Sequence, residues 1–185
     1  MTDQKNKILT IPNMLTTLRI LLVPVFIRAY LHRPGVLPIV ILSVSALTDL
    51  LDGQIARRFN QVSDLGKLLD PVADKLTQGA MLICLVKRFP AIWIPLILMI
   101  FREAFVGVTS VLAIKKSGRV EGAEMYGKVA TVVLDAMVLV HLLFPSIPAV
   151  WSNTLIGITT VVMGVAFALY GKKNLRILHE EIPNN

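Results

Sequence analysis

The sequence predicts an all-α integral membrane protein, a bundle of six transmembrane helices with a short N-terminal interfacial segment. Two observations carry this. Of the 185 residues 55% are hydrophobic and the mean hydropathy is +0.69, and the apolar residues gather in runs close to the roughly 20 that a helix needs to cross the hydrocarbon core of a bilayer. The connections between the runs are short, which leaves room for one membrane domain over residues 1–185 and excludes a soluble fold.

Taken in order, the polar residues 1–7 lead into a stretch interrupted by Asn13, Thr16, Thr17 and Arg19. It lacks the basic, apolar and cleavage regions that make up a signal peptide, so none is expected. Asn13, Thr16 and Arg19 recur every third residue and share one helical face, as in a segment lying along the interface before the first span, 14–31. After the break Arg33-Pro34-Gly35 the second span, 36–58, carries Asp49 and Asp52 at i and i+3. A turn at 59–64 precedes the third, 66–86, which opens with Asp70 and Asp74 at i and i+4. Ser63 or Asp64 can cap it, and Pro71 removes the hydrogen bond to the Lys67 carbonyl and loosens the backbone beside the aspartates. The fourth span, 90–114, follows Lys87-Arg88-Phe89-Pro90 and holds Arg102-Glu103 near its middle. The fifth, 127–145, places Lys128, Thr131 and Asp135 on one face, and the sixth, 151–171, ends in a polar tail over 172–185. The one cysteine, Cys84, reads as a small buried hydrophobe, and His32, His141 and His179 show no ligand spacing and read as interface or tail residues.

Lysine and arginine set the orientation. Lys5 and Lys7, then Arg57, Arg58 and Lys67, then Lys115, Lys116, Arg119 and Lys128, then Lys172, Lys173 and Arg176 fall on one side; the other holds Arg28, Arg33, Lys87 and Arg88. The positive-inside rule makes the first side cytoplasmic, so both termini and the aspartates face the cytoplasm of a multi-pass cell-membrane protein. The net charge of +7 is therefore accounted for by topology and by attraction to anionic lipid, and nucleic-acid binding is not implied.

Asp49, Asp52, Asp70 and Asp74 are the most informative residues. A charged side chain at apolar depth costs at least about 2.5–3.5 kcal/mol, so something cationic must sit among four of them. Grouped hard oxygen donors suit Mg²⁺ or Mn²⁺, which keep waters and bridge to substrate phosphates. Gly53, Ala56 and Gly66 are small where the second and third helices approach each other, a pattern that close packing and phosphate contact both explain. Arg57 fits an ordinary interface anchor, but its position one turn after Asp52-Gly53 favours a phosphate contact.

The full pattern, Asp-x-x-Asp-Gly-x-x-Ala-Arg-x8-Gly-x3-Asp-x3-Asp over residues 49–74, resembles the signature of the CDP-alcohol phosphatidyltransferases at each of its eight fixed positions. That resemblance implies six transmembrane helices, a homodimer, and transfer of a phosphatidyl group from CDP-diacylglycerol to an alcohol with release of CMP. It implies that Asp49, Asp52, Asp70 and Asp74 hold two divalent ions, that Asp74 is also the general base, and that Asp52, Gly53, Ala56, Arg57 and Gly66 bind the CDP moiety. The chemistry agrees, since a pyrophosphate must be neutralised and an alcohol deprotonated.

The acceptor is read from other segments. Asn13-x-x-Thr16-x-x-Arg19 resembles the start of the phosphatidylglycerophosphate synthase and cardiolipin synthase branches of the family, and Arg102-Glu103 is similar to a pair in the former. Asn13, Thr16, Arg19, Arg102 and Lys128 are thus the expected acceptor residues, with glycerol 3-phosphate as acceptor. Internal pairing of Arg102 with Glu103 or Asp135 is the competing account. Tyr126-Gly127-Lys128-Val129-Ala130-Thr131 departs from the family's Gly-Lys-x-Lys-Thr-x-x-Gln element at Ala130 and Leu134. Loss of that lysine keeps phosphatidylglycerol, and hence a cardiolipin synthase, open as the alternative. An intramembrane prenyltransferase lacks the Asp-Gly-x-x-Ala-Arg continuation. A transporter using the aspartates as an ion path would release no CMP.

Overall fold

The computed structural model describes residues 10–32, 35–58, 64–117 and 125–179. The described elements are all helical: α1 (Ile11–His32), α2 (Val36–Arg58), α3 (Asp64–Val86), a 3-10 turn (Pro90–Ile92) running into α4 (Trp93–Ser117), α5 (Met125–Leu143) and α6 (Ala149–His179). Each predicted span coincides with one helix. The last extends well past residue 171, because no proline interrupts 172–179 and lysines and arginines are good helix formers.

Among the described residues, four stretches are long and apolar enough to cross a membrane: Ile11–His32, Pro90–Thr109, Met125–Leu143 and Ala149–Lys173. In α2 the apolar part covers Val36–Asp49 alone, and α3 carries Lys67, Asp70, Asp74 and Lys75 in its first half. The residues that lower the hydropathy of these two helices include the aspartates and the arginine of the motif, together with Lys67 and Lys75. The segment containing Asn13, Thr16 and Arg19 is no separate interfacial piece but the opening turns of α1, and all three side chains are buried. Thr10 starts that helix: its Oγ1 accepts the Asn13 N–H at 3.3 Å, a side-chain cap for one of the four amides a helix start leaves unpaired.

Unlike a water-soluble bundle, the helices carry large apolar side chains on the outside as well as in the core, and polar ones within. Thr16, Arg19, Ser45, Thr48, Gln78, Arg102, Thr109, His141, Ser152 and Thr159 are buried, while Leu21, Ile100, Phe101, Val132, Val161 and Val165 are more than half exposed. An apolar exterior around small and polar helix contacts is the pattern expected in lipid, where hydrophobicity gives helices no reason to associate and hydrogen bonds and close packing hold them together.

The chain forms two compact units, Met1–Cys84 and Leu85–Asn185. In the first, α1 packs along α2, and Cys84 is buried as expected. In the second, α6 packs on both α4 and α5, turning inward Ser152, Ile156, Thr159, Met163 and Ala166 at alternating steps of four and three. His141 differs from its sequence reading as an interface or tail residue, being 1% exposed. Its Nδ1 lies 2.8 Å from the Met137 carbonyl and its Nε2 2.9 Å from Ser152 Oγ. A carbonyl can only accept, so Nδ1 carries the proton and Nε2 accepts from the serine. The imidazole thereby ties the end of α5 to the start of α6, with Phe89 edge-on at 4.6 Å.

Candidate active site

Short connections at 33–35 and 59–63 make α1, α2 and α3 successive antiparallel neighbours. The start of α1, the end of α2 and the start of α3 therefore lie at one end of the first unit. At about 1.5 Å per residue, Arg19 and Asp49 sit about 12–14 Å inward from that end, and Asp70 and Asp74 about 9 and 15 Å. Residues far apart in sequence reach a common depth.

There they join. Arg19 Nη2 is 2.6 Å from Asp49 Oδ1 and Nη1 is 2.5 Å from Asp74 Oδ1, so one guanidinium bridges α2 and α3 from α1. One turn earlier on α1, Thr16 Oγ1 lies 2.6 Å from Asp70 Oδ1 and 3.1 Å from the Pro12 carbonyl. The hydroxyl has one proton, and the shorter, charge-assisted contact takes it. Asn13, 4% exposed, completes the inward face, and its carbonyl accepts from Thr17 at 2.7 Å. The arginine side chain is 3% exposed, whereas those of Asp49 and Asp74 are 46% and 53% exposed. The cation is enclosed and the carboxylates keep an open side.

Three of the four signature aspartates thus converge through α1. Gly66 is buried four residues before Asp70. Asp52, Gly53, Ala56 and Arg57 follow Asp49 in the last turns of α2, where their spacing keeps the i, i+3 register, but their side chains lie outside the described residues. Ser63 lies outside them as well, and α3 runs without interruption through Pro71. Sequence spacing put Asn13, Thr16 and Arg19 on one face; that this face meets the aspartates needed the tertiary structure.

Donor chemistry decides whether a divalent ion suits the cluster. Asp49, Asp70 and Asp74 offer hard carboxylate oxygens alone, the donors of Mg²⁺ and Mn²⁺, and two of the three are open to an incoming ion. Among the described residues no three histidine, cysteine or acidic side chains close on a single point, and the positive charge between Asp49 and Asp74 is that of Arg19. The donor types fit such ions.

Arg102 and Lys128 belong to the second unit. Arg102, 7% exposed, donates to the Gly127 carbonyl at 3.4 Å, lies 3.8 Å from Glu103 Oε1 and stands over the Tyr170 ring at 5.7 Å. Its Nε has no hydrogen-bond partner. Tyr170 packs edge-on against Tyr126 at 4.7 Å. Lys128 is exposed and Thr131 Oγ1 donates to the Gly127 carbonyl at 3.1 Å. Tyr170 was not anticipated; an aromatic residue nearly seventy positions further along the chain carries no local signal of stacking on Arg102. Gly127 is the keystone of this cluster, because a Cβ there would collide with the Tyr170 hydroxyl and ring. Gly127→Ala is expected to displace Tyr170 and to cost about 1–3 kcal/mol of stability, the usual range for overpacking, measured as a lowered melting temperature in detergent. An unchanged melting temperature would show that the tyrosine yields freely.

A family model described as CDP-alcohol phosphatidyltransferase matches residues 9–170. A CDP-diacylglycerol--glycerol-3-phosphate 3-phosphatidyltransferase of Rickettsia bellii is 40% identical over 110 residues, which cover 57% of this chain and 61% of that protein. A protein of the same name from Pseudomonas fluorescens is 38% identical over 108 residues, 53% of each chain. A cardiolipin synthase (CMP-forming) of Streptomyces coelicolor is 35% identical over 175 residues, 91% of this chain and 78% of that one. The alignment spans about three-fifths of the length of the rickettsial relative.

Proposed function

This chain belongs to the CDP-alcohol phosphatidyltransferase family, and we propose that it transfers the phosphatidyl group of CDP-diacylglycerol to glycerol 3-phosphate, releasing CMP and forming phosphatidylglycerophosphate. The observation that carries the reading is the gathering of Asp49, Asp70 and Asp74 around Thr16 and Arg19 within the complete eight-residue motif. The relatives named for this activity support the choice of acceptor.

In this reading the primary hydroxyl of glycerol 3-phosphate attacks the phosphorus that bears diacylglycerol, the bond from that phosphorus to the CMP oxygen breaks, and the hydroxyl proton passes to Asp74. Asp74 suits a base because half of its side chain is open and one oxygen, Oδ1, is committed to Arg19. Asp52, Gly53, Ala56, Arg57 and Gly66 bind the CDP moiety, the small residues letting phosphate approach backbone and Arg57 pairing with it. Two divalent ions, Mg²⁺ or Mn²⁺, held by Asp49, Asp52, Asp70 and Asp74, neutralise the pyrophosphate charge when bound. Asn13, Thr16, Arg19, Arg102 and Lys128 serve the acceptor. The reading of residues 1–185 as one membrane domain is supported by a family match that extends over both units. The chain spans the cell membrane six times and works as a homodimer.

Purified protein given CDP-diacylglycerol and each acceptor in turn tests the reading. CMP release with glycerol 3-phosphate supports it. Release with phosphatidylglycerol alone would replace it by the cardiolipin synthase reading, which the longer Streptomyces alignment and the residues Ala130 and Leu134 favour. Arg102→Ala is expected to raise the Michaelis constant for glycerol 3-phosphate about tenfold or more, the effect of losing a charge-assisted contact of about 1.5–3 kcal/mol, with little change for CDP-diacylglycerol. Equal effects on both would make Arg102 a packing residue of the α4–α5–α6 contact. For orientation, a cysteine at Asn60, which is outside the described residues, is expected to react with an impermeant thiol reagent only in permeabilised cells, against a low background because Cys84 is 3% exposed. Labelling in intact cells would invert the topology.

A further inference from the structure

We propose that Arg19 is an internal counter-cation that the aspartate cluster exchanges for divalent metal: loading the site displaces the guanidinium from Asp49 and Asp74. The inference rests on the reading of the four aspartates as metal ligands and adds to it a role for an arginine of α1.

Three features lead to it. Arg19 pairs at 2.5–2.6 Å with one oxygen of each of two expected ligands, and those ligands come from different helices. Its side chain is 3% exposed, so the charge is enclosed where solvent screens it little. Asp70, the third ligand, is held on the same face of α1 by the neutral hydroxyl of Thr16, which competes with no cation. An ion bound by the oxygens that Arg19 now holds would confront the guanidinium across them, and a dication entering from the side where Asp49 and Asp74 are about half exposed outcompetes and repels the singly charged, enclosed guanidinium. The arrangement eases a problem of membrane depth: before metal arrives, Asp49 and Asp74 share one compensating cation, and the buried arginine has its own counter-charge. Its consequence is a metal affinity weakened by the fraction of molecules in which Arg19 holds the ligands.

The test uses the full chain in detergent, stripped with chelator and free of substrate, titrated with Mn²⁺ while the free ion is followed by its paramagnetic resonance signal. Asp70→Asn is expected to lose the tight binding, which separates this site from adventitious ions. Arg19→Gln is expected to bind Mn²⁺ about tenfold more tightly than the unsubstituted protein if Arg19 leaves about a tenth of metal-free molecules open. Equal or weaker binding by Arg19→Gln overturns the exchange while leaving the metal site standing. Should that variant fail to fold, the unsubstituted protein answers alone. Modification of Arg19 by phenylglyoxal, located by mass spectrometry, is expected to be slow in chelator and several-fold faster in saturating Mn²⁺. An unchanged rate overturns the proposal. Binding that is equal in the unsubstituted and Asp70→Asn proteins removes the metal reading and this inference with it.

Discussion

Asp70→Asn is expected to reduce CMP release by more than about 100-fold, the upper end of what loss of an outer-shell metal partner costs, while the protein still inserts and folds. The two halves of that expectation have separate causes. Asn keeps an oxygen that can accept the Thr16 hydroxyl now 2.6 Å from Asp70, so the α1–α3 contact survives. What disappears is the negative charge, and a neutral amide is a far poorer ligand for a hard dication. Initial rates on purified protein, with gel filtration and a melting curve as controls for folding, measure the effect. Activity within a few-fold of the unsubstituted protein would take Asp70 out of the catalytic machinery.

Chelation of divalent metal is expected to bring turnover down to the level of Asp70→Asn, and added Mg²⁺ or Mn²⁺ to restore it. The reason is charge balance at the site. Asp49, Asp52, Asp70 and Asp74 place four negative charges in the last turns of α2 and the first of α3, and Arg19 supplies one positive charge between two of them. A pyrophosphate approaching that cluster meets net repulsion, which divalent cations reverse. Turnover that persists in chelator, with the protein shown by elemental analysis to be metal-free, would refute a metal role and leave Arg19 as the cation of the site.

The extent of the helices was legible because the physics that sets it is local. Apolar runs of spanning length with proline, glycine and charge at their ends can be read along the chain, and the runs 36–58 and 66–86 correspond closely to α2 and α3. The aspartate motif was legible for the same reason, since i, i+3 and i, i+4 spacings fix which residues share a face whatever that face meets. The requirement for a cation among the aspartates also follows from sequence alone, because the cost of charge at apolar depth does not depend on which residue relieves it.

Which residue relieves it was decided by tertiary structure. Helical spacing places Asn13, Thr16 and Arg19 on one side of α1 but carries no information on what that side faces, and the same spacing fits a helix lying at an interface. Packing against α2 and α3 turned the face inward and gave Thr16 and Arg19 partners more than fifty residues away in Asp70 and Asp74. Arg102 is a second instance: its contacts with the Gly127 carbonyl and the Tyr170 ring arise from the crossing of α4, α5 and α6. His141 is a third, a polar residue near a helix end that Ser152 draws into the interior. A helix in lipid exposes apolar side chains and buries polar ones against its neighbours, so hydropathy alone assigns such residues to the outside, and only the partner across the helix contact shows why they are within.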